Sequence, residues 1–151
     1  MRASAIVFVT FTILAGCSSH SVKSVDDYEA AAIAAITSYD AATARTFLGD
    51  DSVIFVDVRE PGELAKDGKI PGSVHIPRGV LEYSVDPNHP RHNEIFSSGK
   101  TVIFYCAGGG RSVLATKLAQ DMGVSNAVNL EGGFRAWSGA GGTIDPPAAR
   151  K

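Results

Sequence analysis

The residue types that could do chemistry gather around Cys106. This thiol directly follows the apolar, β-branched run "TVIFY" and precedes "AGGGRS". Three consecutive glycines, Gly108, Gly109 and Gly110, let the backbone curl until successive amide N–H groups face inward, which makes an anion-binding concavity. A helix is expected from about Arg111, so a helix N-terminus adds partial positive charge to the full charge of that side chain. Such a setting favours the thiolate, the nucleophilic form of cysteine. A buried, inert cysteine before a plain glycine turn would also fit a strand end. Packing alone, however, does not call for three glycines, a cation and a helix start in one turn. Cys106 is therefore the candidate nucleophile, with Ala107, Gly108, Gly109, Gly110, Arg111 and Ser112 as the loop that would hold a substrate. Ser112 suits either a helix cap or a hydroxyl donor into the cradle.

The elements that must position this loop follow from the patterning. Residues 52–58, "SVIFVDV", and 100–106, "KTVIFYC", read as strands buried on both faces of a parallel sheet. Shorter strands are expected at "SVHIP" (73–77) and within "NAVNLEGG" (126–133), with one helical turn at most in "REPGELAKDGKIPG". Val113, Leu114, Leu118 and Met122 recur at helical spacing, and Gly123 stops that helix. Two further helices are expected before the first strand, one over 26–36 and one capped by Asp40 and ended by Gly49. Strands alternating with helices predict an α/β domain with a mainly parallel sheet, whose ligands bind beyond the carboxyl ends of the strands. Asp57 and Cys106 both fall on that edge.

Four motifs in order, "VDVREPGE", "IPGSVHIP", "YCAGGGRS" and "LEGGFRAW", resemble the signature of a single-domain rhodanese. The resemblance implies a five-stranded parallel sheet flanked by helices on both faces. It also implies sulfane-sulfur transfer through a persulfide on Cys106, from a small anionic donor such as thiosulfate to a thiol or cyanide, with no cofactor. Asp57 and Arg59 match the family's Asp-x-Arg and are expected as a supporting salt bridge. His75 takes a structural role. Arg78 either faces the pocket as a substrate-binding cation or is a solvated loop residue. Two rival functions remain. A related cysteine-loop phosphatase or arsenate reductase has five residues between cysteine and arginine, whereas Ala107 to Gly110 make four here. A non-catalytic rhodanese-like binding module usually lacks the cysteine.

The rest of the chain sets the context. The formal net charge is −2 with no block of like charge, unlike the basic footprint of a nucleic-acid binder. His89 and His92 lack companion ligands at metal-binding spacing, so no metal site is expected. Arg2, an apolar run over 6–15 and "LAGC" ending at Cys17 resemble a lipoprotein signal peptide. That resemblance implies cleavage after residue 16, lipid on Cys17, and an extracytoplasmic chain anchored to a bacterial membrane, with the periplasmic face of the outer membrane favoured because no Asp follows the cysteine. The expected organisation is signal 1–16, lipidated N-terminus and tether 17–35, rhodanese domain 36–145 and tail 146–151. Whether the helix near 26–36 belongs to the tether or packs on the domain is open. With Cys17 lipidated, Cys106 is the one thiol of the mature chain, and no internal disulfide can form.

Overall fold

The computed structural model describes residues 22–147. The signal segment, Cys17 and residues 148–151 lie outside that span. Five strands, β1 (Ser38–Tyr39), β2 (Val53–Asp57), β3 (Val74–His75), β4 (Thr101–Tyr105) and β5 (Ala127–Leu130), form one sheet in the order β1-β5-β4-β2-β3. Every pairing is parallel. Among the described residues six α-helices accompany them, α1 (Val25–Ala35), α2 (Ala41–Arg45), α3 (Pro61–Asp67), α4 (Leu81–Val85), α5 (Gly110–Asp121) and α6 (Gly133–Gly139), with short 3-10 turns at Arg78–Val80 and Glu94–Ser97.

Successive side chains of a strand point to opposite faces, and the core divides accordingly. Val56, Val102, Phe104 and Cys106 pack towards α4 and α5, with Leu81, Val85, Ala115 and Ala119. Phe55, Ile103, Tyr105, Val128 and Leu130 pack towards α2 and α6, with Ala41, Ala44, Phe134 and Trp137. Helices thus cover both faces of the sheet, and the two central apolar strands are those expected.

Three local features differ from the expectations. The segment after β2 makes seven residues of helix rather than one turn. Pro61 opens α3, and the Glu60 N–H donates to Glu63 Oε2 at 2.9 Å, which supplies the N-terminal stop that its weak apolar pattern hides. The helix capped by Asp40 is shorter than expected and ends at Arg45, although Asp40 does accept from the Thr43 N–H at 2.7 Å. Finally, α1 does not trail as free chain. It packs on α5, burying Ala32, so the part of the expected tether from residue 25 onward is a folded helix.

The carboxyl edge of the sheet is tied by one buried ion pair. Asp57 and Arg59 are 0% and 1% exposed and meet at 2.6 Å. Arg59 Nη2 also donates to Gly68 O at 2.7 Å, and its guanidinium lies 4.1 Å from the Phe134 ring centroid and 5.6 Å from that of Tyr105. Removing one member of such a pair strands a charge in the core. Asp57→Ala should therefore lower unfolding free energy by about 3–5 kcal/mol, read from urea denaturation; a loss below about 1 kcal/mol, the range of an exposed pair, would contradict this.

Candidate active site

Cys106 leaves β4 at the centre of the carboxyl edge, 2% exposed. Its backbone conformation is fixed from outside the loop. The carbonyl of Cys106 accepts from the Phe134 N–H at 2.7 Å, and that of Ala107 from the Arg135 N–H at 3.1 Å. Both carbonyls thus turn towards the first turn of α6. The amide side of the loop is left facing the sulfur, and the Gly109 N–H donates to Cys106 Sγ at 3.1 Å. Gly109 has φ 110°, a conformation that side-chain-bearing residues rarely adopt. Gly133 has φ 60°, and a Cβ there would run into Cys106 O. The glycine on α6 is therefore what lets the loop and α6 approach closely enough to bond.

Ser112 is fully buried, with its Oγ 3.6 Å from Sγ and 2.8 Å from Gly109 O. A hydroxyl has one proton to give, and the carbonyl is the nearer acceptor. The serine thus bonds the glycine turn while its hydroxyl stands within hydrogen-bond reach of the sulfur. Of the two roles open in the sequence, the cap position falls to Gly109, and the hydroxyl is placed beside the thiol.

Arg111 stands in the first turn of α5, where a cation opposes the helix dipole. Glu63 of α3 offsets this with a bidentate ion pair, Nη1 to Oε2 at 2.7 Å and Nη2 to Oε1 at 2.8 Å. The pair raises the pKa of Arg111, with a smaller contribution from neighbouring Cys106. The same hydrogen bonds hold the Glu63 carboxyl down at about 2 against the opposing effect of burial. Glu63 lies within "VDVREPGE", but the sequence offers no sign that it would reach a residue 48 positions away.

The supporting residues take the places expected of them. Asp57 and Arg59 form the buried pair described above, and His75 Nε2 bonds Arg59 O at 2.8 Å. Arg78 does not join the loop. It pairs with Glu82 at 2.9 Å and lines a groove with Tyr28, Ala32, Leu114 and Leu118, between α1 and α5. Its backbone follows β3 to the edge, but its side chain turns along its own helical turn. His89 and His92 bond to neighbouring protein groups: His89 Nδ1 accepts from the Arg91 N–H, and His92 bonds Ser84 O and Ser97 Oγ.

Two further residues approach the loop without having been singled out in the sequence. The Glu29 carboxylate of α1 lies 2.5 Å from where a Cβ on Gly110 would stand, so Gly110 leaves room for α1 to seat on the start of α5. The Arg135 guanidinium lies 3.7–3.9 Å from the corresponding point on Gly108.

Fold and site together define an α/β protein with a cysteine on a glycine-rich strand-to-helix loop. The chain belongs to the rhodanese-like domain family, whose model matches residues 40–140. It is 31% identical over 99 residues to a human thiosulfate:glutathione sulfurtransferase, covering 62% of this chain and 85% of that one. A Saccharomyces cerevisiae protein of the same name is 34% identical over 102 residues, covering 62% of this chain and 70% of that one. A solved structure from Rhodopseudomonas palustris, described as a protein of unknown function and possible tyrosine phosphatase, is 42% identical with a TM-score of 0.80. That match covers 86% of this chain and 100% of the other.

The Glu63–Arg111 pair makes a pH-dependent contribution to stability. Because the folded-state pKa of Glu63 lies below its ordinary 4.5, the contribution is fully present above about 4.5 and is lost as pH falls towards about 2. Both side chains are about a third exposed, which discounts the pair to about 1 kcal/mol. Glu63→Gln should therefore be less stable than the parent at pH 7 by that amount, and urea titrations should show the gap closing below pH 4.5. A gap independent of pH would contradict the pairing.

Proposed function

We propose that the protein is a sulfane-sulfur transferase with Cys106 as its nucleophile. The observation that carries this reading is the Cys106 sulfur on a four-residue loop, accepting from the Gly109 N–H at 3.1 Å, with the Arg111 fork held by Glu63 rather than left open. Sulfurtransferase names among its relatives support the same class.

In the first half-reaction the Cys106 thiolate attacks the outer sulfur of a donor such as thiosulfate. The new S–S bond forms as the old one breaks, and sulfite leaves with the bonding electron pair. In the second, cyanide or a thiolate attacks the outer persulfide sulfur and departs as thiocyanate or as a new persulfide, returning the Cys106 thiolate. No net oxidant or reductant enters either step. The loop amides and the start of α5 favour negative charge at the sulfur throughout.

The electrostatic demand is considerable. Two negative charges about 4 Å apart repel by about 4 kcal/mol at an effective dielectric of 20. Arg111 is the fixed cation nearest the thiol in sequence, and Glu63 cancels part of its field. This also bears on the phosphatase alternative, which the description of the R. palustris structure raises for that protein. A phosphatase loop of this kind uses its arginine fork on the phosphate. Here the loop is one residue short, and two of the fork's donors are spent on Glu63.

The deciding assay measures thiocyanate formation from thiosulfate and cyanide beside hydrolysis of an aryl phosphate. Sulfur turnover is expected, with Cys106→Ser lowering it on the order of a thousandfold or more. Aryl phosphate hydrolysis without sulfur turnover would give the phosphatase reading instead, and neither activity would leave a binding module.

The signal-like N-terminus supports a second proposal: the mature chain begins at lipidated Cys17 in an extracytoplasmic compartment, with residues 18–24 spanning from the anchor to α1. Radiolabelled palmitate should be incorporated by the parent chain and not by Cys17→Ser. Equal labelling of the two would refute it.

A further inference from the structure

The arginines that the sequence or the structure brings to this edge of the sheet are not equivalent. Arg59 is paired with Asp57, Arg111 with Glu63 and Arg78 with Glu82. Arg135 differs from all three: among the described residues its side chain makes no ion pair or hydrogen bond, and it is exposed. Its position is nevertheless built. Its own N–H holds Ala107 O, the preceding N–H holds Cys106 O, and buried Phe134 and Trp137 anchor α6 on the sheet. The root of the side chain is therefore fixed relative to the thiol loop. The guanidinium lies over Gly108, two positions past the nucleophile, and a glycine there leaves that face of the loop uncovered. Arg135 also lines a cavity of about 380 Å³ with Ala107, Arg59 and Phe134. Asp67 lines the same cavity without pairing to Arg135.

We propose that Arg135 is a specificity-determining residue whose guanidinium binds the oxyanion group, sulfonate or carboxylate, that a substrate carries beside the sulfur being transferred. The inference rests on the sulfur-transfer reading for its substrates, while the geometry it uses is independent of that reading. A planar fork with all its donors unspent suits a sulfonate or carboxylate better than a point charge would. It complements Arg111, whose fork is already engaged. The one meets the remote anionic group as the other stands by the reacting sulfur.

The test compares the parent protein with Arg135→Ala, Arg135→Lys and Arg135→Glu. Charge-matched alkylating probes come first, because they need no sulfur chemistry. The ratio of Cys106 alkylation rates by iodoacetate and iodoacetamide should fall about five- to tenfold in Arg135→Ala and further in Arg135→Glu, and Arg135→Lys should retain part of it, with all differences shrinking at high salt. An unchanged ratio, or equal loss with both probes, would overturn the proposal. The half-reactions then identify the source of the anion. A rise in KM confined to loading by thiosulfate assigns the donor's sulfonate. A slower discharge to 3-mercaptopropionate but not to 2-mercaptoethanol assigns the acceptor's carboxylate. Loss in neither half-reaction of an active protein would overturn the proposal. If the parent chain takes up no sulfur while the alkylation ratio still falls in Arg135→Ala, the anion site stands and the sulfur-transfer reading is what fails.

Discussion

The guanidinium of Arg59 is the point on which the carboxyl edge of this protein depends. It is a charge almost wholly removed from water, a placement tolerated only when the charge is paired and its donors are used. Asp57 supplies the pair from the end of β2, Gly68 O takes a further donor at the end of α3, and the stacked rings of Phe134 and Tyr105 lie beside the guanidinium. Arg59 O in turn holds His75 on β3. One residue thereby joins β2, α3, β3, β4 and α6, reaching β3 through its backbone carbonyl and the others through its side chain. Tyr105 precedes Cys106 and Phe134 bonds its carbonyl, so the same cluster flanks the thiol on both sides. Burial and the nearby Asp57 charge push the Tyr105 hydroxyl well above its ordinary pKa of 10.0, so it keeps its proton while it accepts from the Ile70 N–H and shares a 3.0 Å hydrogen bond with Ser73 Oγ.

From that fixed edge the chemistry of the loop follows by elimination of freedom. The carbonyls of Cys106 and Ala107 are turned outward by α6, so the amide of Gly109 is turned inward. Glu63 fixes Arg111 and tempers its charge. Beside the sulfur stand the Gly109 amide and the Ser112 hydroxyl, and the Arg111 fork is engaged rather than open.

Much of this was legible in the sequence, for identifiable reasons. Buried parallel strands need unbroken apolar runs, and β2 and β4 have them. A nucleophile loop needs glycines next to a thiol, and Gly108 to Gly110 follow Cys106 with only Ala107 between. The Asp57–Arg59 pair is local, two residues apart, and could be expected from its motif. What was hidden is non-local or weakly patterned. β1 has two residues, Ser38 and Tyr39, and exists because Asn129 and Glu131 offer N–H groups to Thr37 and Tyr39. α3 carries no apolar stripe and is fixed at its ends. The Glu63–Arg111 pair and the approach of Arg135 to Gly108 join residues far apart in the chain, and no spacing announces them. Arg78 misleads for the converse reason: sequence places it just past a strand at the active edge, but an acidic residue four positions on offers the nearer partner.

The central claim is that Cys106 carries the transferred sulfur as a covalent intermediate. Its most direct measurement is the mass of the protein after incubation with thiosulfate and removal of the donor, followed by peptide mapping. The account predicts a gain of one sulfur atom per chain, located on the peptide containing Cys106 and discharged by cyanide. An unaltered mass, or sulfur retained on a chain whose Cys106 has been blocked, would contradict it.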